Sequence, residues 1–193
     1  MKKNELETPA LLIDLPAMEG NLRRMAEFCR HGTAKLRPHF KNHKCLALAA
    51  RQVEAGAIGI ACATVDEAEA LVRNGVASVL IANEIASPEK MRRVAGLRGQ
   101  ADVIVCVDSE EVVETMAGVA RSCATELHVL VDVDVGLHRC GVRPGEQALR
   151  LARTILEKGL RFRGLMGYQG HGPRTPPTPE TDAACRDTLR LLI

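Results

Sequence analysis

The feature that most constrains this chain is its rhythm. Short apolar runs rich in Val, Ile, Leu and Ala alternate with amphipathic stretches along nearly its whole length. Strand-like runs fall at residues 35–41, 58–64, 79–82, 103–107, 127–132 and 162–168, after a shorter one at residues 10–14. Helical patterns follow at residues 15–30, 45–54, 64–74, 87–97, 109–123 and 145–157, and a last one opens near Thr178 and is still running at Ile193. A spacing of about 20 to 35 residues is that of a βα unit. Alternating β and α elements imply a parallel sheet covered by helices.

Local signals set several boundaries. Asp14 can cap the first helix and Pro16 suits its first turn, with Leu22, Met25, Ala26 and Cys29 on one apolar stripe. Thr64-Val-Asp-Glu67 fits a capping box, and Gly75 ends the helix that follows. Ser87-Pro88-Glu89 and Thr178-Pro179-Glu180 open two more helices, the second after a proline-rich loop at residues 173–179.

Two architectures compete, a doubly wound sheet and a (β/α)8 barrel. A dinucleotide-binding sheet favours a glycine-rich turn after its first strand. The loop after Lys41 has no glycine, which favours the barrel. About six βα units are visible, and a complete barrel has eight units and about 250 residues. The expectation is an α/β fold: a partial TIM barrel, one incomplete domain over residues 1–193, the front part of a longer protein.

Composition narrows the function classes. Hydrophobic residues make up 46% and charged residues 26%, with a net charge of +2. That balance argues against disorder and against a broad basic face for nucleic acid. The apolar runs fall far short of the ~20 residues that cross a bilayer. Residues 1–7 are polar and carry no apolar signal core, so a cytoplasmic protein is expected. With no Trp, one Tyr and three Phe, the core must be aliphatic. Seven cysteines occur without a C-x-x-C pair, which reads as reduced, mostly buried thiols.

Active sites of barrels lie at the C-terminal ends of the strands. There the sequence places His39, Lys41, Asn42, His43 and Lys44, then Thr64, Asn83 and Glu84, Asp108, then Asp132, Asp134, His138 and Arg139, and last Tyr168, Gln169 and His171. In a strand, Arg37, His39 and Lys41 share one face, and Pro38 and Phe40 point toward the helices. If the first face is the barrel interior, Lys41 is buried, and a buried lysine becomes a nucleophile able to form a Schiff base. The bland alternative is a basic strand end in solvent. His39 and His43 are more simply hydrogen-bonded than a metal pair, and Asp132, Asp134 and His138 more simply bond the backbone of their loop. Arg139 can pair with an anionic group, and Tyr168 can stack on a planar cofactor or fill the core.

Four segments carry a family resemblance. Arg37-Pro-His-Phe-Lys-Asn-His-Lys44 closely resembles the R-P-H-x-K-T-H-K signature of the D-threonine aldolase and D-serine dehydratase family, fold-type III pyridoxal phosphate enzymes with an alanine racemase-like N-terminal barrel. Thr8-Pro-Ala-Leu-Leu-Ile-Asp14, Asp132-Val-Asp-Val-Gly-Leu-His-Arg-Cys-Gly-Val142 and Gly164-Leu-Met-Gly-Tyr-Gln-Gly-His171 resemble its opening strand, its arginine loop and its G-x-x-G-Y-E-G-H strand end. Asn42 stands for the usual Thr and Gln169 for the usual Glu.

The resemblance implies a metal-activated lyase of D-amino acid metabolism acting on D-β-hydroxy amino acids, by retro-aldol cleavage to glycine and an aldehyde or by elimination. It implies that Lys41 holds pyridoxal phosphate, with His39 beside it. Arg139 contacts the cofactor's phenolic oxygen or the substrate. Tyr168 lies against the pyridine ring, and His171 is catalytic, near the substrate. It also implies a divalent metal, manganese or zinc, on ligands from a C-terminal β domain outside this chain, and a homodimer in the full-length form. An amino-acid racemase of the same fold type and a non-catalytic truncated relic or cofactor-binding fragment are the alternatives.

Overall fold

Five strands pair side by side in chain order, all parallel, in the computed structural model, which describes residues 3–170 and 178–192. They are β1 (Ile60–Cys62), β2 (Ser78–Glu84), β3 (Asp102–Val107), β4 (His128–Asp132) and β5 (Arg161–Met166). The helices are α1 (Leu15–His31), α2 (Leu46–Glu54), α3 (Val65–Arg73), α4 (Pro88–Leu97), α5 (Glu110–Ser122), α6 (Glu146–Glu157) and α7 (Pro179–Arg190). A doubly wound sheet reverses its strand order at a switch point. This sheet never reverses, which is the winding of a (β/α) barrel left open.

The helices start where the sequence provides acceptors for unpaired N–H groups. Asp14, Thr64, Ser87, Ser109 and Thr178 accept from Ala17, Glu67, Lys90, Val112 and Thr181 respectively. The box at Thr64 is shifted by one residue: Glu67 Oε2 accepts from Ala63 N at 2.8 Å.

Alternation along the strands separates two faces. Val79, Ile81, Val103, Val105, Val107, Val129 and Val131 are buried, in one core with Leu71, Met91, Val94, Val113, Met116 and Ile155 of α3–α6. Full burial of each such side chain stabilises by roughly 1.5–3 kcal/mol. Apart from Phe40 and Cys62 this core is built of aliphatic side chains and methionine, as the scarcity of aromatics requires. The other face, the barrel interior, carries Ser78 and Leu80, Asp102, Ile104 and Cys106, and His128, Leu130 and Asp132.

A charged floor closes the N-terminal end of that interior. Asp102 accepts from Arg98 Nη1 and Arg163 Nη1 at 3.0 Å each, and from His128 Nδ1 at 2.8 Å. Arg98 Nη2 lies 2.7 Å from His128 Nε2. Arg163 Nη1 also lies 2.6 Å from His128 Nδ1, and Glu126 Oε2 lies 3.3 Å from His128 Nε2. Arg37 donates to Ser78 O and Oγ at 3.3 and 3.1 Å.

Several expectations are corrected. Residues 10–14 form no strand: among the described residues they have no ladder partner, and Leu11 is 97% exposed. Residues 35–41 are mostly irregular. Leu36 O and Pro38 O accept from Ile58 and Ala61, with a single bridge at His39 to Ala61, because Pro38 has no N–H to continue the ladder. The sheet therefore has five strands rather than six. Helix α7 ends at Arg190, with Leu191 as its cap, rather than continuing to Ile193, which lies outside the described residues. All seven thiols are free, but only Cys62 and Cys106 are buried and Cys123 is exposed. Helix α1 buries none of its residues, and Met25 of its apolar stripe is 45% exposed.

Burial opposes the Asp102 carboxylate, but Arg163, Arg98 and His128 outweigh it and hold its pKa below the usual range. A group with a lowered folded pKa contributes stability above its unfolded value, lost as pH falls through the folded one. Asp102→Ala should cost about 2 kcal/mol at pH 7 in urea unfolding, below the figure for a fully buried pair, because the Asp102 side chain is 33% exposed. The gap between wild type and variant should shrink below about pH 4.

Candidate active site

The octapeptide from Arg37 to Lys44 divides its labour residue by residue. Arg37 anchors to Ser78, and Phe40, 4% exposed, enters the core. His39 Nδ1 accepts from Lys41 N at 3.2 Å and so caps the 3-10 turn Phe40–Asn42. His43 Nδ1 accepts from Cys45 N at 3.1 Å, and its Nε2 lies 3.3 Å from Gln52 Oε1, which ties the turn to α2. Lys44, held at a φ of 48°, reaches Glu67 at 3.4 Å. Both histidines are spent on hydrogen bonds, as the simpler reading expected. Burial, and then the Lys41 charge, lower the pKa of His39 and favour its neutral form.

Lys41 is what this scaffold presents. It is exposed, not buried in the barrel interior, because the 3-10 turn breaks the strand alternation after His39. Among the described residues it makes no ion pair. Its Nζ lies 5.7 Å from the centroid of the Tyr168 ring, and Arg139 Cζ lies 5.5 Å from the same centroid. Each contact falls within the range at which a cation is attracted to an aromatic face. The geometry thus brings together Lys41, Arg139, Tyr168 and His39 on the C-terminal rim. His171 lies outside the described residues.

Arg139 owes its place to a loop folded back on the end of β4. Val142 N donates to Asp132 O and Asp134 N to Val142 O, both at 2.9 Å. Asp134 Oδ1 accepts from Gly136 N at 3.0 Å and His138 N at 2.9 Å, and His138 Nδ1 lies 2.8 Å from Oδ2. Those bonds, chiefly to the His138 backbone and side chain, lower the Asp134 pKa to about 2. Gly141 N donates to Asp108 Oδ2 at 3.1 Å, joining the loop to the end of β3.

Sequence reasoning missed one grouping. Glu84, Asp132 and Cys140 bring two carboxyl oxygens and a sulfur within 4.8 Å of one another. Burial first, then the hydrogen bond and charge of Glu84, push the Asp132 pKa up. Burial also raises the Cys140 thiol pKa, against the hydrogen bond from Arg139. The signal was masked by register: an irregularity between Ile81 and Glu84 pairs Glu84, where an unbroken ladder would pair Ala82, with Cys106, and so carries Glu84 to the level of Asp132.

The fold and rim define a class: a (β/α) barrel domain with a lysine, an arginine and a tyrosine gathered where its strands end. A family model described as alanine racemase, N-terminal domain, matches residues 13–192, and the chain belongs to that family. It is 36% identical over 173 residues to a 3-hydroxy-D-aspartate aldolase of Paracoccus denitrificans, covering 88% of this chain and 45% of that protein. It is 35% identical over 187 residues to a D-threonine aldolase of Arthrobacter sp, covering 96% and 49%. The crystal structure of a D-threonine aldolase from Filomicrobium marinum superposes with a TM-score of 0.93 at 37% identity, covering 96% of this chain and 50% of that one. The resemblance read from the octapeptide is thus borne out, and the chain spans about half the length of the curated relatives it matches.

Gly141 tests the loop. At its φ of 97°, an added Cβ would stand 2.6 Å from Asp134 N and 2.8 Å from Val133 C, both backbone atoms. Gly141→Ala should therefore destabilise by about 2–3 kcal/mol in urea unfolding and alter the fluorescence of Tyr168, the only tyrosine in a chain without Trp.

Proposed function

We propose that this chain supplies the cofactor-binding barrel of a pyridoxal phosphate-dependent lyase acting on D-configured β-hydroxy amino acids. One observation carries the reading. In the octapeptide, Arg37, His39, Phe40, His43 and Lys44 are engaged in holding the backbone, and Lys41 is left exposed beside a ring and a second cation. An exposed, unpaired amine is what condensation with a carbonyl needs. The residues present fit the cofactor on chemistry: an amine for its aldehyde, an aromatic ring for its planar ring, and a guanidinium for an anionic oxygen.

Bound there, the cofactor supplies an electron sink for a bond broken at the substrate Cα. Lys41 would hold it by condensing with its aldehyde. Arg139, seated on the folded-back loop, offers a fixed positive charge to the phenolic oxygen or to the substrate. Tyr168 shields one side of the ring from water, and neutral His39 keeps the Lys41 turn in shape. His171 is assigned a place near the substrate by the family resemblance alone.

The manganese or zinc of the metal-activated reading is not placed on these side chains. Glu84, Asp132 and Cys140 are the one described group close enough to hold an ion, and burial together with Glu84 pushes the Asp132 pKa up, against the ionised form a metal ligand needs. The homodimer belongs to the same proposal. Among the described residues, no helix is long and apolar enough to cross a membrane.

The test is an absorbance titration with pyridoxal phosphate. The chain should gain a band toward the visible that borohydride traps and that Lys41→Ala abolishes. Arg139→Ala should weaken binding roughly tenfold. A band of equal strength in Lys41→Ala would overturn the cofactor assignment. Racemisation of D-alanine without release of aldehyde from D-threonine would replace the lyase with a racemase.

A further inference from the structure

Below the rim, two acids occupy the barrel interior where no cation of the floor reaches them. Asp132, at the end of β4, is 4% exposed and is the one buried charged or polar residue among those described. Glu84, at the end of β2, has an oxygen, Oε1, that is shielded from solvent and has no hydrogen-bond partner among the described residues. Cys140 stands over both, and Asp132, Cys140, Arg139 and Tyr168 line one crevice of about 10 Å³, room for at most one water. Two carboxylates this close in a dry site cannot both ionise.

We propose that Glu84 and Asp132 share one proton and act as one singly charged unit, and that this unit positions the Cys140 segment and, with it, Arg139 against Tyr168. The oxygens of the pair and the Cys140 sulfur lie within 4.8 Å of one another, and Arg139, beside Cys140 in the chain, lines the same crevice as Asp132 and Tyr168. Loss of the shared proton would put a second negative charge under the loop and draw the guanidinium down from the ring. The groups facing the pair are Cys106 of β3 and Asp108 just after it, Cys140 and Arg139 from the loop, and Tyr168 beyond β5. Burial and the charges of Asp132 and Glu84 keep the Cys106 thiol protonated. Asp132 and Glu84 are positioning residues. Their bearing on the cofactor, through Arg139, rests on the reading above.

The chain contains its own probe, because Tyr168 is its only tyrosine and it has no Trp. Tyr168 emission is followed against pH in the full chain without cofactor, after EDTA, with far-UV circular dichroism as the control for folding. The wild type should show an inflection well above the ordinary Asp value of about 3.9. Asp132→Asn should lose it and hold the emission of the acidic wild type at every pH. Glu84→Gln, which removes the like charge, should lower the inflection by at least one pH unit. Contributions of His39, Lys41 and the His138–Asp134 pair are common to all three proteins and cancel in the comparison. If Asp132→Asn does not fold, Glu84→Gln decides.

An inflection shared by the wild type and both variants would overturn the proposal, as would a wild type with none above about pH 5. Stoichiometric zinc binding that replaces the inflection and is lost in Asp132→Asn would show a metal site and overturn it too. Because no cofactor is added, the titration stands or falls separately from the cofactor assignment.

Discussion

Parallel pairing is the constraint on which the rest of this structure depends. When neighbouring strands run the same way in chain order, their C-terminal ends all emerge on one rim and their N-terminal ends on the other. The two ends of the interior then acquire opposite chemistry. The floor gathers Arg37, Arg98, Arg163 and His128 around Asp102 and Ser78. The rim gathers Glu84, Asp132 and Cys140, with Lys41, Arg139 and Tyr168 above them. A cation-rich floor and a carboxyl pair near the rim are kept apart by the aliphatic layer of Leu80, Ile104 and Leu130.

The rim shows how a reactive group is prepared by groups that do no chemistry. Pro38 ends the ladder, His39 caps the next turn, Phe40 pins it in the core, and His43 and Lys44 lock its exit. The same logic holds on the facing loop, where Asp134 and Asp108 satisfy backbone N–H groups and Gly141 permits the close return that sets Arg139 in place. Two rigid backbone segments thus bring two cations to one aromatic ring.

The family relationship accords with this arrangement. The similarity to proteins named as D-threonine and 3-hydroxy-D-aspartate aldolases runs through both segments, and it extends over about half of each relative. The exposed apolar residues Leu11, Leu12 and Ile13 and the outer edge of β5 have no strand beside them among the described residues.

Much of this was legible in the sequence because its causes are local. The apolar rhythm sets the order of strands and helices, side-chain acceptors at Asp14, Thr64, Ser87, Ser109 and Thr178 set helix starts, and the octapeptide marks Lys41. The sequence also determines that the core is aliphatic, since it offers little else. Tertiary structure decided what depends on distant partners. Residues 10–14 have strand composition but no neighbour to pair with, and Pro38 removes the donor that residues 35–41 needed. Lys41 is exposed rather than buried because a turn, not a strand, carries it. The meeting of Glu84 with Asp132 and Cys140 follows from strand stagger and the irregularity after Ile81, which no one-dimensional pattern contains. Local hydrogen bonds and periodicity are written along the chain, whereas burial and the sharing of a proton arise only when separate strands are brought side by side.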